Sequence, residues 1–374
     1  MRALTEIPIT HNIPILVRSA LNVPVANGSV TNSYRLRRAL PTLQHLQRAG
    51  ARVIVASHLG EQGTETLEPV ARELAKLLSR VTFCPVTVGA EARARVRALA
   101  PGDILVLENV RRNAGEIKND LTFAKELATL ADVFVQDSFD TCHRAHSSIV
   151  RLPELLPAYA GLELVEEVRV LGGARTPKSP SLAIIGGVKF STKEPVLTEL
   201  LRRYKHVFVG GALANDFLKA GGHPVGRSLV SNSSEAQIKT LLLHPRLVLP
   251  ADVRVVPANG GVRITDVDTV GADETIFDIG PKTALQLGEL AGQSKTVLWN
   301  GPLGVYEKGF VEGTDVVAQA IAHSSAHSIV GGGDTVAELE RAGYIEDFSF
   351  VSIGGGAMLE FLARGTLPGI QALG

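Results

Sequence analysis

The sequence predicts an α/β protein: two doubly wound parallel-sheet domains joined by a helix. Three observations carry that expectation. Short β-branched apolar runs recur without polar alternation, amphipathic segments separate them, and many of the runs end directly in glycine. Strands that are apolar on both faces belong in parallel sheets covered by helices. A chain of 374 residues is too long for one ordinary core and fits two such domains.

In the first half the runs lie at 13–17, 53–56, 104–107 and 133–135, with helical patterns at 35–49, 67–78 and 121–130. A single helical stretch then covers 157–173 and closes on Gly172-Gly173, before the polar segment 174–180. It divides the chain into a first domain over 1–156, a connecting helix over 157–173 and a second domain from 174. In the second half the runs lie at 182–185, 207–209, 296–299, 328–330 and 350–353. Four of them meet glycine at once, at Gly186-Gly187, Gly210-Gly211, Gly331-Gly332-Gly333 and Gly354-Gly355-Gly356, and the fifth meets Asn300-Gly301-Pro302. In a parallel sheet these turns share the carboxyl edge, where ligands bind.

Composition narrows the function. Equal counts of 38 basic and 38 acidic side chains give no long-range attraction, so no nucleic-acid or membrane partner is expected and any anion site is local. Residues 1–6 lack the apolar stretch of a signal peptide, and no apolar segment approaches the length of a bilayer. The two cysteines, Cys84 and Cys142, make no disulfide framework; a reducing, cytoplasmic setting fits them. Cys142-His143 with His146 supplies at most three nearby metal ligands and no second pair, which argues against structural zinc.

A glycine turn that opens a helix exposes backbone N–H groups along the helix dipole and makes an anion site needing little side-chain charge. Any one such turn is more simply a compact connection. Triple glycines at two strand ends, one followed by Asp334-Thr335, favour phosphate, with Asp334 as the hard oxygen ligand that magnesium takes beside nucleotide phosphates. Gly186-Gly187-Val188-Lys189 lacks the first glycine and the Lys-Ser/Thr pair of a P-loop, and no strand end carries the spaced glycines of a dinucleotide fold. Lys189 and Lys193 share one helix face; such a pair is usually a solvated basic face, but here it follows a glycine turn. In the first half Arg35 opens a helix, while His58, Arg111 and the cluster His143-Arg144-Ala145-His146 follow strand ends. Arginine forks there suit a dianionic ligand.

Taken in order, these turns closely resemble the phosphoglycerate kinase family along essentially the whole chain. The resemblance rests on Arg18-Ser19-Ala20-Leu21-Asn22-Val23-Pro24, Ser57-His58-Leu59-Gly60, Leu107-Glu108-Asn109-Val110-Arg111 and His143-Arg144-Ala145-His146. It continues through Gly186-Gly187-Val188-Lys189, Asp278-Ile279-Gly280-Pro281-Lys282-Thr283 and the segment from Trp299 to Glu307. Gly331-Gly332-Gly333-Asp334-Thr335 and Gly354-Gly355-Gly356-Ala357 complete it. The resemblance implies a tail, 365–374, that returns to the first domain, and a nucleotide domain ending at 364. It implies reversible phosphoryl transfer between 1,3-bisphosphoglycerate and MgADP, giving 3-phosphoglycerate and MgATP, by a monomer. Asn22, Arg35, His58, Arg111 and Arg144 would then hold the acid. Arg35, Lys189 and the helix starts at Gly332 and Gly355 would stabilise the transferring group. Gly187, Lys193, Gly210, Asn300, Glu307, Gly332, Gly333 and Thr335 would hold ATP or ADP, and Asp334 the Mg2+.

The resemblance breaks at defined positions. The family's first motif reads Arg-Val-Asp-(Leu/Phe)-Asn-Val-Pro, its aspartate accepting from the substrate hydroxyl; here Ala20 stands in its place. The family's Ser-His-Leu-Gly-Arg ends here in Glu61, which reverses a charge that helps hold the substrate phosphate. Losing one charge-assisted contact costs about 1.5–3 kcal/mol. Arg112 and Asn113 replace Phe-His; Arg112 could pair with Glu61, replace the lost charge, or be a surface arginine. Val188, Ile276 and Ile353 depart from the family around the nucleotide. Three readings stay open: a working phosphoglycerate kinase, a same-fold kinase acting on another carboxylic acid, and a nucleotide-binding protein without kinase activity.

Overall fold

Apolar runs without alternation become strands buried along most of their length, and these pair in parallel because helices cover both faces. The structure, a computed structural model, describes residues 1–7, 11–232 and 234–374. It divides into two units, Met1–Arg169 with Thr366–Gly374, and Val170–Gly365.

In the first unit six strands are all parallel: β1 (Pro14–Ser19), β2 (Arg52–Ala56), β3 (Val81–Phe83), β4 (Ile104–Val106), β5 (Val133–Asp137) and β6 (Ala158–Ala160). Their order is β3-β4-β2-β1-β5-β6. The chain works outward from β1 on one side and returns to β5 on the other, so the topological switch point lies between β1 and β5. The register pairs Ser19 with Asp137 there. Helix α1 (Tyr34–Arg48) buries Leu36, Ala39, Leu43 and Leu46 in one core with Ile15, Val17, Val53 and Val55. That spacing of three and four is the apolar stripe of a surface helix. The C-terminal residues belong to this unit, where the Gly369 N–H donates to the Cys142 carbonyl at 2.8 Å.

The second unit holds β7 (Ser181–Ile185), β8 (His206–Val209) and β9 (Leu247–Val248), then β10 (Asp252–Val256), β11 (Arg263–Asp266) and β12 (Thr275–Ile279). It closes with β13 (Thr296–Asn300), β14 (His327–Gly331) and β15 (Phe350–Ser352). A parallel sheet runs in the order β9-β8-β7-β13-β14-β15, with its switch point between β7 and β13. The middle three strands form a separate antiparallel sheet over a small core of Leu218, Val253, Val255, Val267 and Val270.

The structure corrects the sequence reading at the junction. Residues 158–160, expected within the connecting helix, are strand β6, and the helix, α2 (Leu162–Ala174), begins only after Gly161. A side chain at Gly161 would collide with the Asp137 carboxyl, so the chain turns there without one. Strands β3 and β9 and the antiparallel sheet are also additions; their short runs carry too little pattern to be read alone.

Asp137 fastens the start of α2. Its Oδ1 accepts from the Glu163 and Leu164 amides at 3.0 and 3.3 Å, and the Leu162 amide donates to Thr42 Oγ1 at 2.9 Å. Glu163 Oε1 accepts from Arg38 Nε at 3.0 Å. Burial, reinforced by Glu163, pushes the Asp137 carboxyl up to about 8. Burial also pushes Glu163 up to about 7, against the pull of Arg38. The folded chain therefore keeps protons that the unfolded chain releases near pH 4. This contribution is fully present below pH 4 and is lost as pH rises toward 8, with a slope of about 1.4 kcal/mol per pH unit for each retained proton. Urea unfolding of Asp137→Asn between pH 6.5 and 8 should show a flatter loss of stability than the native chain. An unchanged slope would mean that Asp137 is ionised in the fold.

Candidate active site

At the carboxyl edge of the first sheet, one buried guanidinium organises the strand ends. Arg18, fully buried on β1, donates from Nε to Ser148 Oγ at 2.9 Å and from Nη1 to the Ser19 carbonyl at 2.9 Å. Nη1 also reaches Ser138 Oγ at 3.4 Å, and Nη2 reaches His58 Nδ1 at 3.1 Å. Its counter-charge arrives through Ser148, whose Oγ and amide both donate to Glu116 at 2.6 and 2.9 Å. A buried charge needs such partners. Because a guanidinium only donates, His58 Nδ1 must accept and the ring proton sits on Nε2. Burial, then Arg18 and Arg111, hold His58 well below its ordinary value. Burial and the same two arginines, Arg111 first, push His146 down to about 4. Both imidazoles are neutral at pH 7 inside a cationic field.

The other expected residues interlock around Gly60. Its N–H donates to Asn22 Oδ1 at 3.0 Å, and its carbonyl accepts from Arg111 Nη1 at 2.8 Å. Arg35 Nη1 donates to the Asn22 carbonyl at 3.0 Å and pairs with Asp140 Oδ2 at 3.3 Å. Arg111 Nε is buried and has no hydrogen-bond partner among the described residues. Arg144 is exposed and lowers the proton affinity of both Arg111 and His146, so it acts on the same field. Thus Asn22, Arg35 and Arg111 are joined through short contacts around Gly60, His58 lies against Arg18, and Arg144 is exposed.

Three of the departures can be placed. Ala20 is buried at the end of β1. Glu61 is exposed and forms no ion pair among the described residues. Arg112 Nη1 pairs with Glu108 Oε2 at 2.7 Å rather than with Glu61. Glu108 also takes the Thr66 hydroxyl at 2.8 Å and the Leu67 amide at 2.9 Å, so Arg112 is engaged in bracing that loop. The sequence reading missed Arg18 as an organiser, and missed Glu116 and Asp140. An arginine inside an apolar strand run was the available signal, since it requires a buried partner.

On the second unit, the five glycine-bearing turns follow β7, β8, β13, β14 and β15, and parallel pairing puts them on one edge. Helices α3 (Phe190–Arg203), α4 (Gly211–Ala220), α5 (Gly333–Ala342) and α6 (Gly355–Arg364) start there without a side-chain cap. Lys189, Gly210, Gly332 and Gly354 are their N-cap residues. Uncapped starts present backbone N–H donors. At the switch point the backbones nearly touch: a side chain at Gly186 would collide with Gly301 and Pro302, and one at Gly301 with Gly186. Across that contact Lys193 Nζ donates to Asn300 Oδ1 at 3.0 Å. Burial pushes Lys193 down to about 8, against the attraction of Asp334.

Thr335 is fully buried, its Oγ1 accepting from the Gly301 amide at 2.8 Å. Asp334 and Glu307 are exposed. The Tyr306 hydroxyl donates to Asp334 Oδ1 at 3.2 Å, and burial with Asp334 and Glu307 pushes that phenol up to about 12. Lys189 and Val188 are exposed, Gly187 has φ +114°, Ile353 is buried, and Ile276 packs on the small antiparallel core. Among the described residues no cluster of three or more His, Cys, Asp or Glu could hold a metal. The exposed carboxylate of Asp334 instead fits an ion that keeps its waters and arrives with phosphates, as magnesium does. Among the described residues no helix is long and apolar enough to cross a membrane.

One doubly wound unit edged with arginine and neutral histidine, and another edged with uncapped glycine helix starts, make this a two-unit α/β protein with cationic groups and backbone donors at its strand ends. The family model described as phosphoglycerate kinase matches residues 6–364. The phosphoglycerate kinase of Moorella thermoacetica is 42% identical over 97% of this chain and 96% of its own length. That of Thermus thermophilus is 43% identical over 96% of each. Among solved structures, the phosphoglycerate kinase of Coxiella burnetii superposes with a TM-score of 0.85 at 39% identity, covering 99% of this chain and 98% of its own. That of Pyrococcus horikoshii gives 0.88 at 30% identity, covering 100% and 98%. The chain belongs to the phosphoglycerate kinase family.

Arg18 carries a direct test. Arg18→Met removes four hydrogen-bonding contacts and leaves Glu116 buried without its cation. Urea unfolding should show a loss of about 3 kcal/mol or more, and a loss below about 1 kcal/mol would show that the first unit's edge does not depend on it.

Proposed function

We propose that this chain catalyses reversible phosphoryl transfer between 1,3-bisphosphoglycerate and MgADP, giving 3-phosphoglycerate and MgATP. One observation carries the reading: Lys193 meets Asn300 over the second unit's switch point, amid uncapped helix starts and beside the Asp334 carboxylate. In the direction of ATP use, a carboxylate oxygen of 3-phosphoglycerate forms the new P–O bond while the bond to the ADP oxygen breaks. No covalent enzyme intermediate is required, so positioning and charge do the chemistry.

Asn22, Arg35, His58, Arg111 and Arg144 hold the acid, His58 through its Nε2–H. Arg35 and Lys189 act on the transferring phosphoryl group, with the helix starts at Gly332 and Gly355. Gly187, Gly210, Lys193, Asn300, Gly333 and Thr335 receive the nucleotide, and Glu307 its ribose. Asp334 would hold Mg2+, which when bound neutralises phosphate charge. The protein works as a cytoplasmic monomer in this reading. A second reading changes only the acid, and Glu61, exposed and without an ion pair among the described residues, favours it, because an anionic side chain there repels a phosphate.

ATP consumption by the purified chain with Mg2+ and 3-phosphoglycerate, beside a panel of other carboxylic acids, decides between them. Turnover with 3-phosphoglycerate is expected. Preference for another acid would select the second reading, and no turnover with any acid would sink both. Lys193 adds a pH signature. A bound phosphate keeps its ammonium charged, whereas the unliganded side chain loses its proton above about pH 8. Affinity for MgADP should therefore fall as pH rises from 8 to 10, by up to about tenfold per unit. Lys193→Met should bind more weakly and with little pH dependence over that range; an equally steep fall would remove Lys193 from the phosphate site.

A further inference from the structure

We propose that Asp140 is the specificity-determining carboxylate of the acid site and accepts the hydrogen bond of the substrate hydroxyl. The proposal rests on the function proposed above and concerns a residue that the sequence reading did not select.

A hydroxyl entering the first unit's edge meets mostly donors: the guanidinium groups of Arg35 and Arg111, and His58 Nε2–H. Its own proton needs an acceptor, and a buried donor left without one costs about 1–3 kcal/mol. At the end of β1 no carboxylate supplies it, because Ala20 ends in a methyl group and is buried. The neighbouring strand supplies one. Beyond β5, the short turn Phe139–Thr141 carries Asp140, whose side chain is only 8% exposed. Oδ2 pairs with Arg35 Nη1 at 3.3 Å, and Oδ1 accepts from Ser138 Oγ at 2.6 Å.

A short chain of contacts ties this carboxylate to the end of β1. Ser138 Oγ meets Arg18 Nη1 at 3.4 Å, and the same Nη1 donates to the carbonyl of Ser19, the residue before Ala20. The sheet register sets Ser19 beside Asp137, so both strand ends lie at the switch point. Asp140 also raises the proton affinity of Arg18 and Arg111, so its charge faces the cationic cluster as a whole.

Of the neighbouring carboxylates two are engaged, and the third, Asp137, is buried and holds its proton near neutral pH. Glu116 is buried against Ser148, Glu108 holds Arg112, Thr66 and Leu67, and Asp137 caps α2. A carboxylate offers about four lone-pair directions, so Asp140 can accept from a ligand hydroxyl while keeping Ser138 and Arg35. A carboxylate in a pocket for anions is repulsive unless it reads a donor, and a site built to bond a hydroxyl discriminates strongly against an analogue lacking it.

Calorimetric binding without nucleotide tests this, using 3-phosphoglycerate and 3-phosphonooxypropanoate, which lacks the hydroxyl. The native chain should favour the hydroxy acid by about 10- to 100-fold. Asp140→Ala should cut that preference to below about threefold by weakening 3-phosphoglycerate alone, and adding Ala20→Asp to this variant should restore it. A counter-ion that serves only Arg35 gives the opposite pattern, in which Asp140→Ala tightens both acids together; that result, or equal weakening of both, overturns the assignment. Should Asp140→Ala fail to fold, the native chain decides, since a native preference below threefold also overturns it. Turnover of the native chain with MgATP and 3-phosphoglycerate is measured in parallel. Turnover without an Asp140-dependent preference removes only Asp140, whereas neither binding nor turnover removes the proposed function as well.

Discussion

Parallel pairing forces all strands of a sheet to end on one edge, and this constraint underlies both halves of the molecule. At a switch point the connections leave in opposite directions, so the edge there is open to side chains and ligands. In the first unit the β1–β5 point is occupied by Arg18; in the second, the β7–β13 point is bridged by Lys193 and Asn300. The chemistry of each unit follows from what stands in that gap.

In the proposed function the two edges would reach anion affinity by different physics. The first concentrates guanidinium groups and keeps its imidazoles neutral, so His58 and His146 contribute hydrogen-bond capacity without adding charge. Burying so many cations is tolerable because Glu116, Asp140 and backbone carbonyls take their donors. The second edge spends few side-chain charges and relies on backbone N–H groups at glycine helix starts. A chain of zero formal charge is no obstacle to the proposed anion sites, because each field is local.

Legibility in the sequence varied with the range of the interaction. The buried strands announced themselves, since β1, β2, β5 and β7 are continuous apolar runs. Strands β3 and β6 did not, and residues 158–160 entered the sheet because β5 offered a partner edge that a helix could not use. The glycine turns were visible as turns. That Gly186 and Gly301 are glycine because their backbones abut depends on a contact between segments far apart in the chain. Arg112 illustrates the same limit: its partner is Glu108, four residues away, and only the fold distinguishes that neighbour from Glu61.

By itself, the sequence determined the two doubly wound domains, the glycine turns and the arginine, histidine and lysine side chains near strand ends, because hydrophobic period and turn chemistry act over a few residues. The tertiary structure alone decided which of those side chains meet. Arg18 finds Ser148 across 130 positions, and Lys193 finds Asn300 across 107. It also decided protonation, since the neutral imidazole of His58 and the raised carboxyls of Asp137 and Glu163 result from burial. Desolvation and charge coupling depend on three-dimensional surroundings, which local pattern does not encode.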